Sequence, residues 1–377
     1  MGREVREMSG RPGLSRGRRP RFYTAGRFLP VVGRAALPVA MAVAAGAVLL
    51  LALGRDPVAF GGAILRNGLT TAVGLEQTII RMAPLLLMGT GFIVAFQAGL
   101  WNIGGDGQFL MAAALVGGLG PPLVASLPVW AAWVVLCGIG CLAGAAWTLV
   151  PAFLKAWYGM NEIITSLMMA MIGINLANVL IKGPFLSEKT TVPQTDVVAW
   201  VDRLPYLPGT RIHVGIVVAV VVLLLVHLMQ TRTAYGLRLR VLGVNRRAAL
   251  HAGLPVKRDI MTAFALSGGL IGLAAAVEVL GVWGYVRADW NPAFGITLFA
   301  LVFLAELNVL ATIPLVFFFA VVSIGGHAAA LQTRLPSDFL LLLIGLVLLF
   351  MVLTRWLRSR RRASGTGLAL PPSGEAS

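Results

Sequence analysis

Tyr235-Gly-Leu-Arg-Leu-Arg-Val-Leu-Gly-Val-Asn-Arg-Arg-Ala-Ala-Leu-His-Ala-Gly253 is a basic stretch between two apolar runs of membrane-spanning length. Its arginines favour a cytoplasmic position, because cytoplasmic loops are enriched in Arg and Lys. Asn245 is a favourable N-cap, residues 246–252 are long enough for about two helical turns, and Gly253 suits the position after a helix end. The sequence therefore predicts a short capped helix, held between two membrane spans and presented to a soluble partner.

The composition of the chain is that of a membrane protein. Of its 377 residues, 58% are hydrophobic and only 12% are charged, whereas soluble domains carry about 25% charged residues. Several uncharged runs reach the length of about 18 residues that marks a membrane helix. Polar segments do not exceed about 35 residues, which is too short for an independent soluble core. We therefore expect an all-α polytopic membrane protein.

The net charge of +16 is concentrated in two tails. Residues 1–34 and 355–377 are rich in arginine, which fits cytoplasmic tails beside membrane spans and attraction to anionic membrane lipids. Because the charge lies in tails and short loops, we do not expect nucleic acid as a partner.

Apolar runs and helix breakers predict about ten transmembrane helices within residues 35–354, with an interfacial segment at 55–82. The expected spans are 35–54, 82–105, two within 107–154, 163–181, 212–231, 260–282, 293–310, 313–326 and 339–354. An even count places both tails in the cytoplasm, together with the basic segments 155–162 and 232–259. The charge-balanced loop 182–211 then lies outside.

Two matching dipeptides suggest an internal repeat. Trp101-Asn102 precedes the third predicted span and Trp290-Asn291 precedes the eighth, each with glycines nearby. Inverted repeats with broken helices at matching positions are a known transporter plan. Chance similarity of two glycine-rich loops remains an equal alternative.

Four motifs, in order between about residues 80 and 300, resemble permeases of ATP-binding cassette (ABC) importers for nucleosides and simple sugars. Gly99-Leu-Trp-Asn-Ile-Gly-Gly-Asp-Gly-Gln108-Phe-Leu-Met resembles the family's Gly-x-Phe-Asn-Ile-Gly-x-Glu-Gly-Gln-x-x-Met. Asn161-Glu-Ile-Ile-Thr-Ser-Leu-Met168 resembles Asn-Glu-Val-Ile-x-Thr-Ile-Met. The stretches Gly236–Gly253 and Ser267–Gly281 resemble the family's coupling segment and the span that follows it.

The resemblance implies a type II-like importer permease in the plasma (inner) membrane. Its partners would be a cytoplasmic ABC ATPase, a second permease subunit (identical or different) and an external substrate-binding protein. The chain has no Gly-x4-Gly-Lys-Ser/Thr phosphate loop. We therefore expect it to be no enzyme and to bind no cofactor, with ATP and Mg²⁺ held by the partner ATPase. The predicted helix becomes the coupling helix, with contact residues Asn245, Arg246, Arg247, Ala249, His251, Ala252 and Gly253.

Arg246 and Arg247 lie at the start of that helix, where positive charge costs roughly 0.3–1 kcal/mol each. Their position suggests an acidic surface on the ATPase.

Polar residues in and near the spans are candidates for the translocation pathway. We assign to it Asn102, Gln108, Asn175, Asn178 and Glu278. Asn175 and Asn178 share a helix face and could instead bond to a neighbouring span. For Glu278, the alternatives are a pathway or interhelix contact and a side chain that reaches the membrane surface.

Three further polar residues are assigned as helix caps. Asp106 is expected to cap the helix that follows it, and Asn161 and Glu162 form the start of the fifth span. The four scattered histidines show no ligand spacing, so we assign no metal. Cys137 and Cys141 lie one turn apart in an apolar run, and packing is their expected role.

Two other functions remain open at the level of sequence. A permease for branched-chain amino acids shares the general architecture. An ion-coupled secondary transporter would need buried charged groups, for which Glu278 and Glu306 are the chief candidates.

Overall fold

The computed structural model describes residues 28–333 and, beyond them, positions 339, 342, 345, 346, 349, 350, 353, 354 and 357. Over this part of the chain the protein is helical and contains no β-strand. The expected all-α polytopic class is confirmed. Most of the two basic tails, and half of the predicted span 339–354, lie outside the described residues.

Twelve α-helices occur in the described part of the chain. They are α1 (Phe28–Ala52), α2 (Pro57–Leu65), α3 (Ala72–Gln97), α4 (Gly105–Ser126), α5 (Val129–Tyr158), α6 (Glu162–Lys182), α7 (Gly215–Arg232), α8 (Ala234–Val244), α9 (Arg246–His251), α10 (Val256–Glu278), α11 (Phe294–Leu304) and α12 (Val309–Thr333). Single π-helical turns at Arg66–Thr70 and Val279–Trp283 precede α3 and extend α10.

Seven of the described helices are long and apolar enough to cross a membrane: α3 to α7, α10 and α12. The apolar segments Ala36–Ala52 and Phe294–Leu304 are shorter. The chain is therefore a multi-pass membrane protein, and the count of ten spans stays a prediction.

Helices α3 and α10 form the buried centre of the bundle, and α10 packs most extensively against α5. Two Gly-x3-Gly motifs face each other at that contact: Gly140 and Gly144 on α5 meet Gly268 and Gly272 on α10. A Cβ added at Gly272 would clash with the carbonyl oxygen of Gly140. The absence of side chains lets the two backbones touch, as in many membrane helix pairs.

The predicted interfacial segment 55–82 is wrong in its second half. Asp56 caps the short helix α2, and Thr71 caps α3 by accepting a hydrogen bond from Gly74 N. Helix α3 therefore begins at Ala72, and Glu76 and Arg81 lie within a spanning helix. Composition misled here because Arg81 finds its partner inside the protein, on α10.

The loop 183–214 covers one end of the bundle. Its backbone binds the segment after α10, through Val198 N to Gly284 O (2.8 Å), Thr195 N to Val286 O (3.0 Å) and Leu204 N to Leu280 O (3.1 Å). Helices α8 and α9 lie at the other end, which we call the α9 end.

Candidate translocation pathway and coupling site

The N-termini of α4 and α11 meet inside the bundle. Asp106, in the first turn of α4, accepts a hydrogen bond at Oδ1 from Gly295 N in the first turn of α11 (2.7 Å). A Cβ at position 295 would lie 2.8 Å from both carboxylate oxygens, so only glycine permits this approach. Helix N-termini carry partial positive charge, so one carboxylate stabilises two helix ends.

The segments with matching dipeptides come together at this junction. Trp101-Asn102 leads into α4 and Trp290-Asn291 leads towards α11, and the Trp290 ring lies 6.1 Å from the ring of Phe109 on α4. Two helices that begin next to each other within the bundle are what a broken-helix repeat predicts. The repeat itself stays a prediction.

The sequence predicted that Asp106 caps its own helix, α4, and this prediction is wrong. Gly104 occupies the N-cap position of α4 and provides no side-chain bond. Asp106 instead caps α11, whose first turn is 189 residues away along the chain. Local spacing could not reveal a partner at that separation.

Helix α11 is bounded at both ends by unusual backbone. Asp289 and Ala293 precede it and Glu306 and Leu307 follow it, and all four adopt positive φ (51° to 60°). They are the only non-glycine residues with positive φ in the described part of the chain. Such conformations cost about 1–3 kcal/mol each and cluster at functional sites. The strain therefore points to α11 as the specialised element of the bundle.

Asn102 and Gln108 form a buried amide pair, and their assignment to the translocation pathway stays a prediction. Gln108 Nε2 donates to Asn102 Oδ1 (2.7 Å), while Asn102 Nδ2 donates to Gln108 Oε1 (3.1 Å) and to Ser267 Oγ on α10 (3.0 Å). Both amide side chains are almost completely buried. They fix the loop 98–104 to the centre of α10, so they shape the site from behind.

Glu278 lies in an interhelix ion pair and does not reach an accessible surface. It is 1% exposed, lies 3.6 Å from Arg81 Nη1 on α3, and accepts a hydrogen bond from Trp283 Nε1 (3.1 Å). The Arg81 guanidinium also lies over the ring of Phe294, at 5.5 Å from its centroid. Glu278 thus joins α3, the π-turn after α10 and the start of α11.

The two asparagines of α6 have separate local roles. Asn175 is exposed and donates to the carbonyl of Met171 on its own helix (2.8 Å). Asn178 accepts from Asp289 N, in the strained segment before α11 (2.7 Å). At the same end, Lys182 pairs with the Asp289 carboxylate (2.8 Å). Asn178 therefore bonds across to the loop before α11, and Asn175 faces outward.

Four aromatic rings are in contact with one another between the junction and the α9 end. They belong to α3, the loop 98–104 and α11. The Trp101 and Phe303 rings are stacked at 5.4 Å and 17°, and Trp101 lies 6.1 Å from Phe299. Phe96 packs against all three. Although its partners are buried or half-buried, Trp101 is 38% exposed.

At the α9 end, the short helix has the expected caps. Asn245 Oδ1 accepts from Ala248 N (3.1 Å), and Gly253 follows the helix with φ +73°. Arg247, His251 and Ala252 are exposed, and Arg246 is half-buried. Ala249 is fully buried. It therefore holds α9 against the bundle and cannot contact a partner.

Helix α8 connects α9 to the loop that carries Trp101. Arg240 Nη2 donates to Gln230 O on α7 (2.6 Å), and Arg238 lies 3.6 Å from the buried Asp259 of α10. Gly243 packs on the backbone of Gln97–Gly99, where any Cβ would clash. A displacement of α8 would therefore act directly on the loop 98–104.

The start of α6 lies near the same end. Asn161 caps α6 by accepting from Ile163 N (3.0 Å), and Glu162 in its first turn pairs with Lys155 of α5 (2.6 Å). This contact closes the turn between α5 and α6.

Sequence reasoning missed several residues of the site. Gly295, Ser267 and Arg81 are recognisable only through partners distant in the chain. Val244, at the end of α8, and Leu250, within α9, are exposed large apolar side chains. The sequence shows these apolar residues in and beside the predicted helix. It does not show which face of the helix points outward, and so they could not be assigned to the contact surface.

Comparisons with known proteins agree on one family. The model of the branched-chain amino acid transport system permease component family matches residues 74–352. A glucose ABC transporter permease protein of Haloferax volcanii is 30% identical over 340 residues, covering 87% of this chain and 89% of the relative. A guanosine ABC transporter permease protein of Bacillus subtilis is 28% identical over 324 residues, covering 83% and 91%. A nucleoside ABC transporter permease protein of Lactococcus lactis is 28% identical over 250 residues, covering 63% and 67%.

Proposed function

The chain belongs to the branched-chain amino acid transport system permease component family of ABC permeases, and we propose that it forms the translocation pathway of an importer for nucleosides or simple sugars. A permease subunit of this family is not itself catalytic. The proposed partners are a cytoplasmic ABC ATPase, a second permease subunit and an external substrate-binding protein. The proposed location is the plasma (inner) membrane, with both termini cytoplasmic.

The observation that carries the proposal is the connection from α9 to the junction of α4 and α11. Helix α9 is capped, and Val244, Arg247 and Leu250 around it are exposed. Helix α8 rests on the backbone of Gln97–Gly99, which continues into Trp101 and α4. A force applied to α9 by an ATPase would thus reach the loop 98–104 through one rigid helix.

The nature of the cargo is supported by the relatives, whose names specify glucose, guanosine and nucleosides. A branched-chain amino acid remains the second candidate because the family model carries that description. The candidate cargoes are distinguished by measuring uptake of radiolabelled guanosine, glucose and leucine. The cells express this chain together with the genes encoded beside it. Uptake of leucine alone would reject the proposed cargo.

An ion-coupled mechanism is disfavoured by the position of Glu278. Its carboxylate is buried and paired with Arg81. A coupling carboxylate has to exchange an ion with the solution on either side of the membrane, and Glu278 would have to leave its ion pair with Arg81 to do so.

Co-purification tests the coupling role of α9. The chain is expressed with the ATPase encoded beside it and purified in mild detergent. We expect the Arg246→Glu/Arg247→Glu variant to lose the ATPase while inserting normally, because two charges facing an acidic surface are reversed. The matched control is Lys189→Glu/Arg211→Glu, which reverses two exposed charges at the opposite end.

The control variant should retain the ATPase. If the α9 variant retains it and transports normally, α9 is not the coupling helix. A wild-type chain that purifies without an ATPase, and still moves solute down an ion gradient, would reject the importer.

A further inference from the structure

The face of α11 that begins at the junction carries a carboxylate contact followed by two aromatic rings. Gly295, Phe299 and Phe303 are spaced four residues apart, so they lie on one helix face, about 6 Å apart along the axis. At the N-terminal end of this face, Asp106 accepts a hydrogen bond from Gly295 N. At its C-terminal end, Trp101 stacks on Phe303.

The Trp101 ring is held in place from behind and remains partly uncovered. Phe303, Phe299 and Phe96 contact it at centroid distances of 5.4 to 6.1 Å. Despite these three ring neighbours, 38% of Trp101 is exposed. A ring fixed in this way can stack on a flat solute without losing side-chain entropy of its own, which favours binding.

Asp106 supplies the polar group at the other end of the face. The half-buried carboxylate accepts its one hydrogen bond within the described residues at Oδ1, from Gly295 N. Oδ2 remains available as an acceptor for hydroxyl or N–H donors. A zwitterionic amino acid could place its ammonium group here, but its own carboxylate would then need a cationic partner. The nearby guanidinium of Arg81 is already paired with Glu278 and covers Phe294.

We propose that Trp101, backed by Phe299 and Phe303, and Asp106 Oδ2 form a binding subsite for a neutral solute with a flat face and hydroxyl donors, that is, a nucleoside or a sugar. This inference rests on the proposed function, since it assigns contacts to the proposed cargo. The subsite also adjoins the α8 contact, because Trp101 follows Gly99 by two residues. Movement of α8 would displace the ring on which the solute stacks.

The test uses the complete importer, with its ATPase and binding protein, in proteoliposomes and with tritiated guanosine and ¹⁴C-glucose as probes. We expect Trp101→Leu to lower uptake at subsaturating substrate about tenfold or more, since stacking on an aromatic ring is commonly worth that much. Trp101→Phe keeps a ring and should stay within about threefold. Asp106→Asn retains an acceptor for Gly295 N and should raise the KM for uptake with little change in the maximal rate.

Trp130→Leu is the matched control, since Trp130 is an exposed tryptophan on α5 outside this face. Each variant is also tested for ATPase co-purification, which should match that of the wild type. Its unfolding temperature is measured as well, so that a loss of uptake caused by a loss of fold is recognised. Normal uptake by Trp101→Leu would overturn the subsite. So would a loss of uptake in Trp101→Phe and Trp130→Leu as large as the loss in Trp101→Leu. A wild-type importer that takes up neither probe contradicts the proposed cargo, and the subsite with it. Wild-type uptake with indifferent variants refutes the subsite alone.

Discussion

At the scale of single residues, the buried ion pair between Arg81 and Glu278 has the clearest energetic consequence. Glu278 is 1% exposed, whereas the Arg81 side chain is 24% exposed. Removing one partner of a buried pair costs about 3–5 kcal/mol, because the remaining charge is left uncompensated. Arg81→Met leaves the fully buried carboxylate alone, while Glu278→Gln leaves the partly solvated guanidinium.

We therefore expect Arg81→Met to lower the unfolding temperature in detergent more than Glu278→Gln does. The double variant should recover much of the loss, since neither charge then remains. If both single variants and the double variant unfold at the wild-type temperature, the pair does not stabilise the fold.

His213, in the loop before α7, makes stability depend on pH. Burial lowers its pKa to about 4, while Nδ1 accepts from Gly215 N (3.1 Å). The folded protein keeps the imidazole neutral, whereas the unfolded chain protonates it below about pH 6.5. The contribution of this group is fully present above pH 6.5 and is lost as pH falls towards 4, by up to about 3 kcal/mol.

The measurement is the unfolding temperature of the purified chain between pH 7.5 and 4.5. His213→Asn keeps an acceptor for Gly215 N and removes the titrating group, so its curve should fall less steeply with decreasing pH. Parallel curves for the two proteins would exclude His213 as the source of the slope.

What the sequence could predict at this scale depended on whether the partner was near in the chain. The caps formed by Asn161 and Asn245 are local, and the structure has them where the spacing indicates. Asn102 and Gln108 were assigned to the pathway, and the sequence could not show that Asn102 bonds Ser267, 165 residues away. The Asp106 contact to Gly295 fails local prediction for the same reason.

At the scale of elements, the contact between α5 and α10 determines the centre of the bundle. In a membrane, close backbone packing replaces the hydrophobic effect as the force between helices. Gly272 faces Gly140 so closely that a methyl group meets the opposing backbone. We expect Gly272→Ala to destabilise the protein by about 1–3 kcal/mol, the usual cost of overpacking.

The control for this variant is Gly138→Ala on α5, away from the contact with α10, where a Cβ meets nothing within 4 Å. Its unfolding temperature in detergent should equal or exceed that of the wild type, because alanine favours helix. Equal loss in the two variants would attribute the effect to glycine replacement in general and not to the helix contact. Both Gly-x3-Gly motifs are visible in the sequence, but their pairing is not.

Also at this scale, the strained segments on both sides of α11 distinguish it from the other spans. A continuous helix would need neither Ala293 nor Leu307 at positive φ. Residues 293–310 read as one apolar run in the sequence, because strain at the ends of a helix leaves no pattern in hydropathy. The structure instead has a helix of 11 residues, which is too short to cross a bilayer alone.

At the scale of the whole molecule, the spans and the charge distribution make a joint prediction about sidedness. Exposed positions are available at each end of the bundle: Val201 in the loop 183–214, and His251 on α9. In a background without Cys137 and Cys141, an impermeant maleimide should label Val201→Cys in intact spheroplasts. It should label His251→Cys only after the membrane is opened, because basic segments remain in the cytoplasm.

The same reagent decides the number of spans, which the described residues leave open. Ten spans require Ser9→Cys and Ser364→Cys, in the two basic tails, to behave like His251→Cys. An odd number of spans would leave one tail accessible from outside. The arginines of that tail would then contradict the enrichment of Arg and Lys in the cytoplasmic segments. This enrichment is the physical basis of the predicted orientation. Labelling of Ser364→Cys in intact spheroplasts would therefore reject both the ten-span topology and the predicted orientation of the span 339–354.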